Sequence, residues 1–242
     1  MKRRSFLAFC SATLVPAGAW GLAPGEAVRF SSLRPGGGLP AGFRHVALSS
    51  GKRETEYTLV EDGGRTVLRA RATASASGIV RELRVDPRQY PLLAWQWKVT
   101  RVLEKSDLTA RAGDDYPARL YVTFDVPPES LSTSERLQLR LARMMFGPDV
   151  PAAALCYVWD TNAAPGTIAP NAFTDRVRMI VVDSGANNVG RWRTHERNIL
   201  ADYRTAFGAD APIVNSVIVS TDTDNTGETA ETYYGDVEFR ER

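Results

Sequence analysis

The chain has 242 residues, 43% of them hydrophobic, and carries 30 Lys and Arg against 28 Asp and Glu, a formal net charge of +2. That is enough apolar material for one substantial core, so a single domain is expected. Near charge balance, with no basic stripe interleaved with aromatics, argues against nucleic acid as a partner, and two cysteines are too few for a disulfide scaffold.

Lys2, Arg3 and Arg4 precede an apolar run over residues 6–21 that ends in small residues. This layout predicts a signal peptide over residues 1–19, cleaved after Ala19, and a single domain over residues 20–242. Arg3-Arg4-Ser5-Phe6-Leu7 fits the twin-arginine export pattern, with the general secretory route as the alternative. The expected location is the periplasm or the extracellular space. Cys10 follows Phe9 rather than a small residue, which argues against a lipid anchor. Cleavage removes three cations and no acids, leaving 27 basic against 28 acidic residues and a formal charge of −1. Cys156 then stands alone among Leu155, Tyr157 and Val158, as a buried, inert thiol would. No later stretch reaches the roughly 20 apolar residues of a membrane helix, so stable membrane insertion is not expected after cleavage.

The mature chain reads as short strands over 43–48, 56–60, 66–73, 79–85, 92–99, 118–125, 154–159, 176–182, 213–220 and 233–239, with Gly, Pro, Asn and Asp in the gaps. In 118–125, Leu120, Val122 and Phe124 alternate with Arg119, Tyr121 and Thr123, so one face is apolar. In 233–239, strict alternation groups Tyr233 with Val237 and Phe239, and sets Tyr234 with Asp236 on a polar face. Two helices interrupt the strands. Ser132 and Glu135 have capping-box spacing ahead of Leu137, Leu141, Met144 and Met145, which are read as core packing. Residues 199–207 lie between a candidate N-cap, Asn198, and Gly208. The fold class is therefore mostly β: a single antiparallel two-sheet sandwich of jelly-roll or galactose-binding-like type, with one or two short helices.

Chemistry-bearing residues fall in two acidic clusters. Asp222, Asp224, Asn225 and Glu228 crowd around Gly227, and Asp114-Asp115 precede the strand that carries Arg119. An EF-hand is rejected because Tyr233 stands where its twelfth-position Glu belongs. Calcium in another oxygen geometry stays open, held by Asp222, Asp224, Asn225 and Glu228; so does a self-capping turn. With only His45 and His195, a zinc or iron site is not expected, and no organic cofactor is predicted. Asp114, Asp115, Asp222 and Asp224 are also the candidates for two-carboxylate catalysis. A serine triad lacks its elbow motif around Ser184. Trp95 and Trp97 share an apolar face and are read as core. Trp159, Arg191, Trp192 and Tyr234, with Asp114, Asp115 and Arg119, form the candidate ligand surface.

Trp95-Gln-Trp97-Lys98, the run from Gly113 to Val122, Tyr157-Val-Trp159, Gly190-Arg-Trp192, Glu196-Arg-Asn198, the run from Asp202 to Gly208 and Thr221 through Gly227 to Asp236 occur in this order. In them the chain resembles a family of exported bacterial proteins, the domain of unknown function DUF3047, from about residue 30 onward. The ending Tyr-Tyr-Gly-Asp-Val-Glu-Phe is also similar to the last strand of jelly-roll carbohydrate-binding modules, which implies a structural calcium near Asp236. The resulting expectation is a non-catalytic cell-envelope protein that binds a saccharide or similar polar ligand and is stabilised by calcium. The alternative is a carboxylate-dependent glycoside hydrolase or lyase.

Overall fold

The computed structural model describes residues 26–39, 42–47, 51–146 and 150–241. The expected signal peptide lies outside them. Each of the ten expected strand runs is a strand: β2 (Phe43–Ala47), β3 (Glu56–Asp62), β4 (Arg65–Thr73), β5 (Ala76–Val85), β6 (Leu92–Val99), β7 (Arg119–Phe124), β8 (Ala153–Asp160), β10 (Thr174–Ser184), β12 (Val214–Asp222) and β13 (Thr229–Arg240). Three more were not anticipated: β1 (Glu26–Val28), β9 (Ile168–Asn171) and β11 (Arg193–Asn198).

Period-two patterning gives most of these strands one apolar face, and two sheets bury those faces against each other. One sheet has the order β11-β6-β13-β4-β3, with β1 added at β13; the other runs β2-β5-β12-β7-β8-β10-β9. Leu68, Trp95, Trp97 and Phe239 of the first sheet meet Leu120, Val122, Tyr157 and Val219 of the second in a single core. Each such buried Leu, Val or Phe stabilises the fold by roughly 1.5–3 kcal/mol. Among the described residues, every pairing between these strands is antiparallel except that of β8 with β10, which is parallel. Here the all-antiparallel expectation is corrected. After β8 the chain passes to the sheet edge as β9, then doubles back as β10 into the gap beside β8.

Both expected helices form. In α1 (Thr133–Phe146) the capping box closes in both directions, with the Ser132 N–H donating to Glu135 Oε2 (2.7 Å) and the Glu135 N–H donating to Ser132 Oγ (3.2 Å). Two of its expected core residues are not core, however. Leu139 is buried, but Leu137 and Met144 are 56% and 77% exposed, because the helix turns only one narrow face to the protein. The side chains of Leu141 and Met145 lie outside the described residues. α2 (Ile199–Phe207) is capped by Asn198 Oδ1, which accepts from the Ala201 N–H, and ends at Gly208, which takes the left-handed conformation (φ +70°).

Candidate functional site

The two acidic clusters are more than 100 residues apart in sequence and meet in space. β7 and β12 are hydrogen-bonded neighbours, so the segment entering β7 and the loop leaving β12 emerge at the same end of the sheet. The entering segment is turned by Gly113, where a Cβ would lie 2.6 Å from both the backbone N and the Cβ of Asp107. Only a glycine allows that approach.

Arg119 sits at the centre and is 2% exposed. Its Nε donates to Asp222 Oδ1 (2.8 Å) and one terminal nitrogen to Asp222 Oδ2 (2.5 Å), a two-pronged pairing. The same nitrogen reaches the Asp114 carbonyl (2.5 Å), and the other reaches Asp114 Oδ1 (3.4 Å). The guanidinium also lies 4.4 Å from the centre of the Tyr116 ring. Asp115, wholly buried, caps the opposite loop by accepting from the Thr226 N–H (2.6 Å) and from Asn225 Nδ2 (3.1 Å). Asp224 pairs with Lys52 at 3.1 Å. Oxygen atoms of Asp115, Asp222 and Asp224 all lie within 4.8 Å of one another.

Buried negative charge exceeds positive charge in this knot. Arg119 pairs with Asp114 and Asp222 and is the buried cation acting on Asp115, with Lys52 reaching only Asp224 at the rim. Burial pushes the Asp222 carboxyl up to about 7, more than the Arg119 charge and hydrogen bonds pull it down. Burial likewise raises Asp115, against the bonds from Thr226 and the charge of Arg119. The knot therefore favours taking up a proton or a cation.

The other expected metal ligands are engaged elsewhere. Glu228 accepts from the backbone N–H groups of Glu104 and Lys105 and pairs with Arg101, fixing the loop after β6. Asp236 accepts from the Ser31 N–H (2.9 Å) and Ser31 hydroxyl (2.6 Å). Among the expected ligand contacts, Trp159 is fully buried and its indole N–H donates to the Gly185 carbonyl. Tyr234 is also inside, donating to the Ser220 carbonyl (2.5 Å), and its place corrects the strict alternation read from the sequence. Tyr234 opposes Trp97 and Val237 opposes Trp95, so a bulge at Gly235–Asp236 turns Tyr234 in and Tyr233 out.

Sequence reasoning missed two polar seams. On β11 the inward residues are Arg193, His195 and Arg197, a pattern without the apolar signal of a strand. Asp183 accepts from Arg193 (3.0 Å), His195 (2.7 Å) and the Trp97 indole (2.8 Å), while Asp202 takes Arg197 and the Tyr157 hydroxyl. Burial raises Asp183, but bonds from His195 and Trp97 outweigh it and hold the carboxyl below its ordinary range. At the far edge, His45 lies 2.8 Å from Ser77 Oγ and 3.3 Å from Glu54, a serine–histidine–carboxylate line. Ser77 is nevertheless wholly buried and its hydroxyl accepts from the Thr55 N–H, so the line ties strands together rather than presenting a nucleophile.

Trp192 and Arg191 lie at the outer face of the first sheet. Arg191 is exposed and Trp192 half-buried. The Trp192 indole N–H donates to Asp62 (2.6 Å), and its ring carries the Arg65 guanidinium at 4.2 Å. Lys98, bonded to Asp62 (2.6 Å), lies 5.4 Å from the Trp192 ring and 4.5 Å from that of Tyr233.

The family model described as "Protein of unknown function (DUF3047)" matches residues 41–238, which span both the acidic knot and this outer face. No curated protein matches the chain.

Proposed function

We infer that this chain, which belongs to the DUF3047 family, is an exported cell-envelope protein that binds a saccharide or similar polar ligand without transforming it. The observation that carries this reading is the Trp192–Lys98–Tyr233 stack. Two half-buried aromatic rings and their polar partners are held rigidly on an outward sheet face, where rings and hydrogen-bonding groups meet a ligand at low entropic cost. The twin-arginine-like leader supports the export part, and the closing strand supports kinship with jelly-roll binding modules.

The acidic knot enters as a brace rather than a catalyst. Its oxygens are of the type a calcium ion takes, and Asp115, Asp222 and Asp224 would hold one, with Lys52 giving way at Asp224. The hydrolase alternative draws nothing from the geometry, since the same carboxylates are buried against Arg119 and the Thr226 N–H.

The test is binding of the purified chain to an array of neutral and charged oligosaccharides, with Trp192→Ala and Tyr233→Ala in parallel. Binding abolished by either substitution at unchanged melting temperature supports the reading. Absence of binding across the array, or binding indifferent to both substitutions, refutes it.

A further inference from the structure

The outer face around Trp192 extends into a continuous row across the sheet. Thr58 pairs with Arg69, Arg69 with Tyr233 and Tyr233 with Lys98. Carried one step past the Arg193–Trp97 pair, the register sets Trp192 beside Lys98. Four side chains on four neighbouring strands, with Trp192 just ahead of β11 as the fifth, thus form a line of roughly 19 Å at the usual strand spacing.

The charges along this line are unequal. Lys98 is neutralised by Asp62, and Arg71, in the next row, by Glu231. Arg65 and Arg69 have no carboxylate at ion-pairing distance among the described residues. Arg65 reaches Gln96 Oε1 (2.5 Å) and the face of Trp192. Arg69 Nε and its cross-strand neighbour Thr58 Oγ1 are both buried atoms with no hydrogen-bond partner. Those two atoms are closed to a ligand, so a carboxylate would meet the terminal nitrogens of the half-buried Arg69, a fork shaped for such a group.

We propose that this row, from Thr58 and Arg69 to Lys98 and Trp192, is the binding face for a carboxylate-bearing oligosaccharide of the uronic-acid class. The acid groups would meet Arg69 and Arg65, and the sugar rings would meet Tyr233 and Trp192. The inference rests on the saccharide-binding reading and adds the charge of the ligand to it. A neutral glycan would offer neither guanidinium group a carboxylate.

The test is calorimetric titration of the full chain with an oligogalacturonate and, separately, with a neutral gluco-oligosaccharide of equal length, for the wild type, Arg69→Met, Arg65→Met and Trp192→Ala. Melting temperature serves as the folding control. The proposal expects the oligogalacturonate to bind at least about tenfold tighter than the neutral oligomer, to weaken about tenfold or more in Arg69→Met, and to weaken with added salt. If Arg69→Met alone fails to fold, Arg65→Met carries the same expectation. Equal affinity for the two oligomers, or charged binding untouched by both arginine substitutions, overturns the uronic-acid assignment and leaves saccharide binding standing. Failure of both oligomers to bind, together with a blank array, overturns both.

Discussion

Arg119→Met removes the one guanidinium at the centre of the acidic knot while keeping the volume of the side chain. Asp222 loses both of its short contacts and retains the weaker one from the Tyr116 N–H (3.3 Å); the Asp114 carbonyl and carboxyl lose their contacts from Arg119 and keep those from Asn225 Nδ2 (3.3 Å) and Asn171 Nδ2 (2.9 Å). Breaking a buried pair from one side costs about 3–5 kcal/mol, because the remaining charge stays buried. For a domain of this size each kcal/mol is worth roughly 2–4 °C, so the melting temperature should fall by about 6–20 °C. The deficit should also depend on pH. Asp222 already has a folded pKa of about 7, above its unfolded value of about 3.9, and losing the guanidinium raises it further. A carboxyl shifted in that direction costs nothing when protonated in both states, and lowers stability as pH rises through the folded pKa. Melts followed by circular dichroism at pH 5 and pH 8 should therefore show the larger loss at pH 8. A loss below about 1 kcal/mol, or a larger one at pH 5, would refute the account of the knot as excess buried negative charge.

The wild type in chelator should lose stability between about pH 4 and pH 7, through Asp222 and Asp115, and level off above; millimolar calcium should flatten that fall if the knot takes a divalent cation, and denaturant titrations at three pH values would read it. Tyr234→Phe should cost about 1–2 kcal/mol and Tyr233→Phe under about 0.5 kcal/mol in urea unfolding, and equal costs would contradict the bulge phase. Cys156, wholly buried with its thiol pushed up to about 12, should resist thiol reagents in the native state and react fully in denaturant.

Sequence patterning reached the longer strands whose inward residues are apolar, and missed β1 and β9, which are only three and four residues long, and β11, whose inward residues are polar. β7 was legible because Leu120, Val122 and Phe124 alternate with polar residues. β11 was not, since Arg193, His195 and Arg197 become inward residues only once Asp183 and Asp202 arrive from other elements. The acidic clusters were legible as composition, and Asp222 and Asp224 were singled out together. Their partner Asp115, though noted, lies over 100 residues away, and no local spacing encodes that meeting. Tyr234 was misplaced by one extra residue in β13, because a bulge reverses every later side chain and leaves no mark in a run of alternating letters. Asp236 and Glu228 looked like ligands by type, yet each serves a backbone segment that only the tertiary fold brings near.

The places of β12 and β13 bear on how the chain is made. β12 lies inside its sheet between β5 and β7, and β13 lies inside the other between β6 and β4. On a ribosome delivering residues in order, both half-sheets wait with open edges until residues 214–240 arrive. The knot waits as well, since Asp222 reaches Arg119 across a sequence separation of 103. Such late, long-range closure makes for slow folding and a long-lived unfolded chain. Under the export proposed above, that delay would keep the chain threadable on an unfolded route, and on a folded route it would set the pace at which the chain becomes competent to leave.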